Sequence, residues 1–231
     1  MPRRHASLPR LLTLLTLLVL TVCAVLTGPF GSATAHGTAR PLPPVLSRVP
    51  THDRVVFLTI DDGWYRDPAA AALLRDRRIP VSLFPLPDAV EQDPGYFRQL
   101  VPGHRPAVGN HTVGHPDLTT LDLTGQRKEI CAARDRLAAT FGRAPALLRP
   151  PFGRYDDTTR AAARDCGVRA LVTWTHDFTT WGDTPPPVPR LRRGDVVLLH
   201  FTPTLTADLG RALTAAREAG LVPAPLGAYV R

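Results

Sequence analysis

From residue 54 onwards, short apolar runs bounded by turn residues alternate with stretches of helical periodicity, and this alternation admits few architectures. Strands are expected over 55–60, 81–84, 107–108, 146–148, 169–173 and 196–199, with 222–230 as a last, proline-interrupted candidate. Between them, helices are expected over 68–77, 94–100, 125–141, 157–166 and 206–219. The clearest is the helix after Gly125, where Ile130, Ala133, Leu137 and Phe141 are spaced for one buried face. Strands that alternate with helices lie parallel to one another, so the expected fold is α/β, its sheet open or rolled into a barrel.

The segment before residue 54 has a different character. Pro2 to Arg10 is basic with no acidic residue, Leu11 to Leu26 is apolar apart from threonines and Cys23, and Ala33-Thr34-Ala35 offers small residues at alternate positions. This is the pattern of a secretory signal, expected over 1–35 with cleavage after Ala35, and a retained membrane anchor is the alternative. Residues 36–53 are Pro-rich and aperiodic, a linker or extended arm, which leaves 54–231 as one domain. The mature protein is then expected outside the cytoplasm, secreted or associated with a bacterial cell envelope, with no stable membrane insertion, and monomeric. Export leaves Cys131 and Cys166 where a disulfide is permitted; a bridge and two buried thiols are both open.

Composition excludes more than it identifies. The formal charge is +8, but of 28 basic residues only Lys128 is a lysine. The scattered arginines look like the signature of a GC-rich genome and form no basic stripe interleaved with aromatics, so no nucleic-acid partner is expected. Outside the signal only Ser47 and Ser82 remain, neither in G-x-S-x-G, which dismisses a serine hydrolase of the α/β type.

Chemistry-bearing residues fall just beyond the expected strand ends. Asp61-Asp62-Gly63 follows the first strand, His111 to His115 the third, Arg149 to Gly153 the fourth, Asp177 the fifth, and His200 closes the run 196–199. Parallel strands open their C-terminal ends onto one face, where such folds build their sites. Two histidines four apart, brought to one side by a helical turn, make with one carboxylate a three-ligand site that leaves a position for water. Imidazole with carboxylate suits Zn²⁺, and Fe²⁺, Co²⁺ or Ni²⁺ also fit. Adjacent aspartates cannot both face one ion from an extended strand, so one is expected to ligate and the other to act as base, while His200 could protonate a leaving group. Each motif alone is weak: most H-x-x-x-H pairs bind nothing, and Asp-Asp-Gly is commonly a turn. Their joint order carries the reading. His52, His104 and His176 lack such a setting and are expected on the surface or in loops.

In this order the motifs resemble those of the NodB-type polysaccharide deacetylases, carbohydrate esterase family 4. Thr59 to Gly63 is similar to T-F-D-D-G with Ile60 for phenylalanine, Asn110 to His115 to N-H-[ST]-x-x-H, Arg149 to Gly153 to R-P-P-[YF]-G, Trp174 to Trp181 to W-x-x-D-x-x-D-W, and Leu198 to His200 to L-x-H. The resemblance spans about 53–231 and implies a distorted, incomplete (β/α) barrel and a metal-dependent deacetylase acting on an acetylated polysaccharide. It implies Asp61 as general base, Asp62, His111 and His115 as ligands of one divalent ion, zinc first, and Arg149 as the residue orienting Asp61. His200 would be the general acid, tuned by Asp177; the Phe152 amide would hold the oxyanion, and Trp181 and Leu198 would line the acetyl pocket.

The sequence departs from this pattern at Thr180 and Phe201, where the family commonly has acids, and 182–193 is too short and proline-rich for the usual helix. The expected activity is removal of N-acetyl groups from an extracellular N-acetylglucosamine glycan, peptidoglycan or chitin-like. O-Acetyl ester hydrolysis on xylan-type polymers, or glycan binding without catalysis, are the alternatives.

Overall fold

The computed structural model describes residues 40–101 and 107–230. The expected signal over 1–35 and His104 lie outside the described residues. Among the described residues there are eight strands: β1 (Val45–Leu46), β2 (Val55–Asp62), β3 (Ser82–Pro85), β4 (Leu147–Leu148), β5 (Ala170–Val172), β6 (His176–Asp177), β7 (Val196–His200) and β8 (Val222–Pro223). The α-helices are α1 (Pro68–Asp76), α2 (Pro87–Gln92), α3 (Pro94–Leu100), α4 (Leu123–Phe141), α5 (Asp157–Asp165) and α6 (Leu205–Glu218). One sheet runs β3-β2-β7-β6 with β8 also on β2, a second runs β1-β5-β4, and every ladder is parallel. Single bridges from Leu83 to Val108 and from Asn110 to Leu148 connect β3 to β4. The chain of β5 then continues into β6, which pairs with β7. The path thus curls round without a continuous ladder, a parallel α/β fold of the distorted, incomplete barrel kind.

The period-2 alternation of β2 explains where the site lies. Val56, Leu58 and Ile60 pack outwards with Val197 and Leu199 against residues of α1, α3 and α6. Val55 and Phe57 point the other way, into a cluster with Phe84, Val172 and Val196. Two further steps along that inner row come Thr59 and Asp61, both buried. The interior therefore changes from apolar at the N-terminal end of the strands to polar at their C-terminal end.

Several elements differ from expectation. The Pro-rich arm is extended but is not a free linker, because β1 pairs with β5 and Val49 is buried. A two-residue strand has no periodicity to read. The expected strand 107–108 is reduced to single bridges, and 222–230 yields β8 and a 3-10 turn over Leu226–Ala228. Helix α2, with Pro87 in its first turn, is six residues long and too short to show a period. His52 is exposed as expected, whereas His176 lies half-buried in β6 with Nε2 3.3 Å from an Asp195 carboxylate oxygen. The two cysteines form a disulfide, Cα atoms 5.1 Å apart, that joins α4 to the end of α5. Such a link contributes about 2–4 kcal/mol. Among the described residues, no helix is long and apolar enough to cross a membrane.

Candidate functional site

The floor of the site is an ion pair between strands. Arg149, just beyond β4, is wholly buried, and its Nη1 donates to Asp61 Oδ1 at 2.7 Å and to Thr59 Oγ1 at 2.8 Å. Its Nε and Nη2 donate to the carbonyls of Val172 and Thr173, and its guanidinium lies 4.4 Å from the centre of the Phe84 ring. These contacts hold the guanidinium plane and so one oxygen of Asp61. The other, Oδ2, is left facing His111 Nε2 at 3.7 Å. Burial pushes the Asp61 carboxyl above the usual carboxylate range, against the pull of Arg149 and His200.

Asp62 follows on β2, and strict alternation would send it to the opposite face. Its φ of 75° breaks the alternation. Its Oδ1 lies 3.6 Å from His111 Nε2 and 3.7 Å from His115 Nε2. The segment carrying the histidines is not the helical turn expected from their spacing: it is a loop in which Thr112 (φ 68°) and His115 (φ 57°) are left-handed. His111 Nδ1 donates to the Arg149 carbonyl at 2.7 Å, which leaves the lone pair on Nε2 directed at Asp62. Burial drives the His111 pKa down to about 3, so the ring is neutral.

Asp62, His111 and His115 each offer one ligand atom, all within 4.8 Å of one another. A tetrahedral ion with bonds of about 2.0–2.1 Å places its ligand atoms roughly 3.4 Å apart, close to the Asp–His separations. Asp62 Oδ1 is buried and has no hydrogen-bond partner. An orphaned carboxylate oxygen between two imidazole nitrogens is costly unless a cation completes it, so the donor set fits a divalent metal.

His200 closes the opposite wall. It stands in register with Asp61 on the neighbouring strand, so both side chains point to the inner face. Its Nδ1 is 2.8 Å from Thr179 Oγ1, a residue the sequence did not single out. Asp177, expected to tune His200, accepts a hydrogen bond from the Thr179 N–H at 2.8 Å. The Trp181 ring is largely exposed, 4.7 Å from the His200 ring, and Leu198 is buried two residues before His200. Phe152 has φ 59°, its ring stands 4.7 Å from that of His115, and among the described residues its N–H donates to no protein group.

Residues 48–171, over half of the 231, match the family model for polysaccharide deacetylases. The chain belongs to the polysaccharide deacetylase family. It is 42% identical to an uncharacterized protein of Streptomyces coelicolor, over 95% of this chain and 94% of the other. It is 31% identical to a chitooligosaccharide deacetylase of a Bradyrhizobium species, over 64% of this chain and 70% of that one. A peptidoglycan-N-acetylglucosamine deacetylase of Bacillus cereus is 27% identical over 67% of this chain and 58% of that one. In fold the chain is similar to a CE4 family pseudoenzyme from Bacillus anthracis, with TM-score 0.68, 20% identity, and 82% of this chain and 69% of the other covered. The fold is therefore no guarantee of activity, which depends on the residues of the site.

Two departures of this chain from the family pattern have structural counterparts. Thr180 donates through N–H and Oγ1 to the buried carboxylate of Asp208 on α6, at 3.0 and 2.6 Å. Burial opposes that charge, but bonds from Thr180, Arg211 and Thr204 hold the Asp208 pKa below its ordinary value. A carboxylate thus reaches this position from a different element. Phe201 is buried against Phe97 and Tyr96, on the side of β7 away from His200, and is a core residue. Among the described residues, 182–193 contains no helix, as expected.

Proposed function

We propose that this deacetylase hydrolyses N-acetyl groups on an N-acetylglucosamine-containing glycan outside the cytoplasm, peptidoglycan or a chitin-like oligomer, with one divalent ion, zinc first. One observation carries the proposal: Asp61, with one oxygen bound by buried Arg149 and the other beside the Asp62–His111–His115 cluster, stands in register with His200. The relatives that act on chitooligosaccharide and on peptidoglycan N-acetylglucosamine support the choice of substrate. The Cys131–Cys166 disulfide and the leader-like composition of 1–35 support export.

Asp62, His111 and His115 would hold a divalent ion, which would supply Lewis-acid polarisation and lower the pKa of water when bound. Asp61 Oδ2 takes the proton of the attacking water, its raised pKa bringing it nearer the working range of a base. Arg149 keeps the carboxylate from rotating. The unengaged Phe152 N–H is a fixed donor for the oxyanion. With Nδ1 engaged by Thr179, His200 presents Nε2 to the departing amine and protonates it, releasing acetate and a free amino sugar. Trp181 and Leu198 line the methyl side of the acetyl group.

Acetate release from N-acetylglucosamine oligomers, peptidoglycan and acetylated xylan, with Zn²⁺ or with chelator, tests the proposal. Chelator-sensitive release from the first two is expected, preference for xylan would show an esterase, and metal binding without release would show a binding protein. Asp61→Asn should lower turnover at least about 100-fold, the scale of a lost general base, with metal still near stoichiometric. His111→Ala should lose metal and activity together, and full activity in that variant would overturn the site.

A further inference from the structure

The loop between the two histidines has an unusual hydrogen-bond economy. Its four consecutive N–H groups from Thr112 to His115 all donate to side-chain oxygens. The Thr112 N–H donates to Asn110 Oδ1 at 2.8 Å and the His115 N–H to Thr112 Oγ1 at 3.1 Å. The two between them, on Val113 and Gly114, both donate to one oxygen of Glu129, at 3.0 and 2.8 Å. Glu129 lies on α4 and is half-buried. The next residue of that helix, Ile130, accepts a hydrogen bond from Asn110 Nδ2 through its carbonyl at 2.7 Å. Adjacent residues of α4 therefore grip the loop at both its start and its middle.

The loop needs such a grip. Thr112 and His115 both adopt left-handed backbone, which is costly for residues with a Cβ and persists only where surroundings over-determine it. Asn110 and Thr112 belong to the same loop and move with it; Glu129 is the contact to its middle that comes from elsewhere. We propose that Glu129 is a positioning residue whose carboxylate clamps the loop so that His111 and His115 both turn Nε2 towards Asp62. The proposal deepens the metal-site reading and rests on it for its functional consequence.

Removal of the clamp should act on metal affinity before stability. Glu129→Ala is expected to weaken Zn²⁺ binding by about 10–100-fold, the range for partners that hold ligands in place, measured by competition with a chromogenic chelator. Glu129→Gln keeps an oxygen able to accept from both N–H groups and should restore affinity to within a few-fold of wild type. In the metal-free protein, hydrogen exchange at the Val113 and Gly114 amides should accelerate at least about tenfold in Glu129→Ala and little in Glu129→Gln. Should the alanine variant not fold, Glu129→Asp, which withdraws the carboxylate by one methylene, takes its place with the same expectations. Wild-type affinity in Glu129→Ala, or equal weakening in Glu129→Gln, would overturn the proposal. Were the wild type to bind no metal, the metal-site reading would fall, while unchanged amide exchange in Glu129→Ala would still refute the clamp.

Discussion

The proposed base and the proposed metal ligands are neighbours, yet they are held by different means. Asp61 is placed by register: it ends the inner row of β2, between β3 and β7, and buried Arg149 closes on it from the end of β4. His111 and His115 are placed by a loop with left-handed residues, whose N–H groups from Thr112 to His115 are all bound by side chains. Sheet register is enforced by many backbone hydrogen bonds at once, so the floor tolerates little displacement short of unfolding. The loop depends on a few side chains, so its geometry can be altered while the fold persists.

The contrast can be broken at each side. The largest effect is expected for Arg149→Met, which leaves Asp61 buried without its partner. Loss of one member of a buried pair costs about 3–5 kcal/mol, read as a shift of the urea midpoint, and turnover should disappear with it. A replacement that left stability untouched would show the floor to be looser than its burial implies.

Next comes the disulfide, which ties α4 to α5 one residue after Ile130. The double variant Cys131→Ser, Cys166→Ser should lose about 2–4 kcal/mol. If α4 is the anchor of the ligand loop, hydrogen exchange at Val113 and Gly114 should quicken more than at Asp61. Equal changes at both would erase the distinction between floor and loop.

The remaining effect is on the pH dependence of the metal-free protein. Burial holds His111 at about 3, while the unfolded residue titrates near 6.5, so below 6.5 the unfolded chain binds the extra proton and stability falls as the pH drops. Asp61 acts in the opposite sense. Its folded pKa is raised above 3.8, so stability is lost as the pH rises from 3.8 towards the folded value. His111→Gln should flatten the first limb and Asp61→Asn the second, in denaturant titrations from about pH 4 to pH 8.

Much of the site was legible in the sequence because its residues follow strands whose apolar runs are plain. Asp61, Asp62, Arg149 and His200 occupy strand ends, as read, and the two histidines meet Asp62. The conformation that brings the histidines there is not legible, since a spacing of four suits a helical turn and gives no sign of left-handed backbone. Thr179 escaped notice because a threonine beside a histidine in space has no mark in sequence. Glu129 and Asp208 lie in helices, 14 and 8 residues from the nearest site histidine in the chain, where a lone acid reads as an exposed helical charge. Phe201 looked like a lost acid next to His200, but alternation along β7 turns it into the core.

By itself the sequence determined the class of fold, the face that carries the chemistry and the residue types on it, because apolar periodicity and strand ends are local properties of the chain. Tertiary structure alone decided which oxygen of Asp61 is free, how Asp62 escapes the strand alternation, that Cys131 meets Cys166, and which side chains hold the ligand loop. Each of these depends on groups far apart in the chain meeting within a few ångströms, and on backbone angles that packing imposes against local preference.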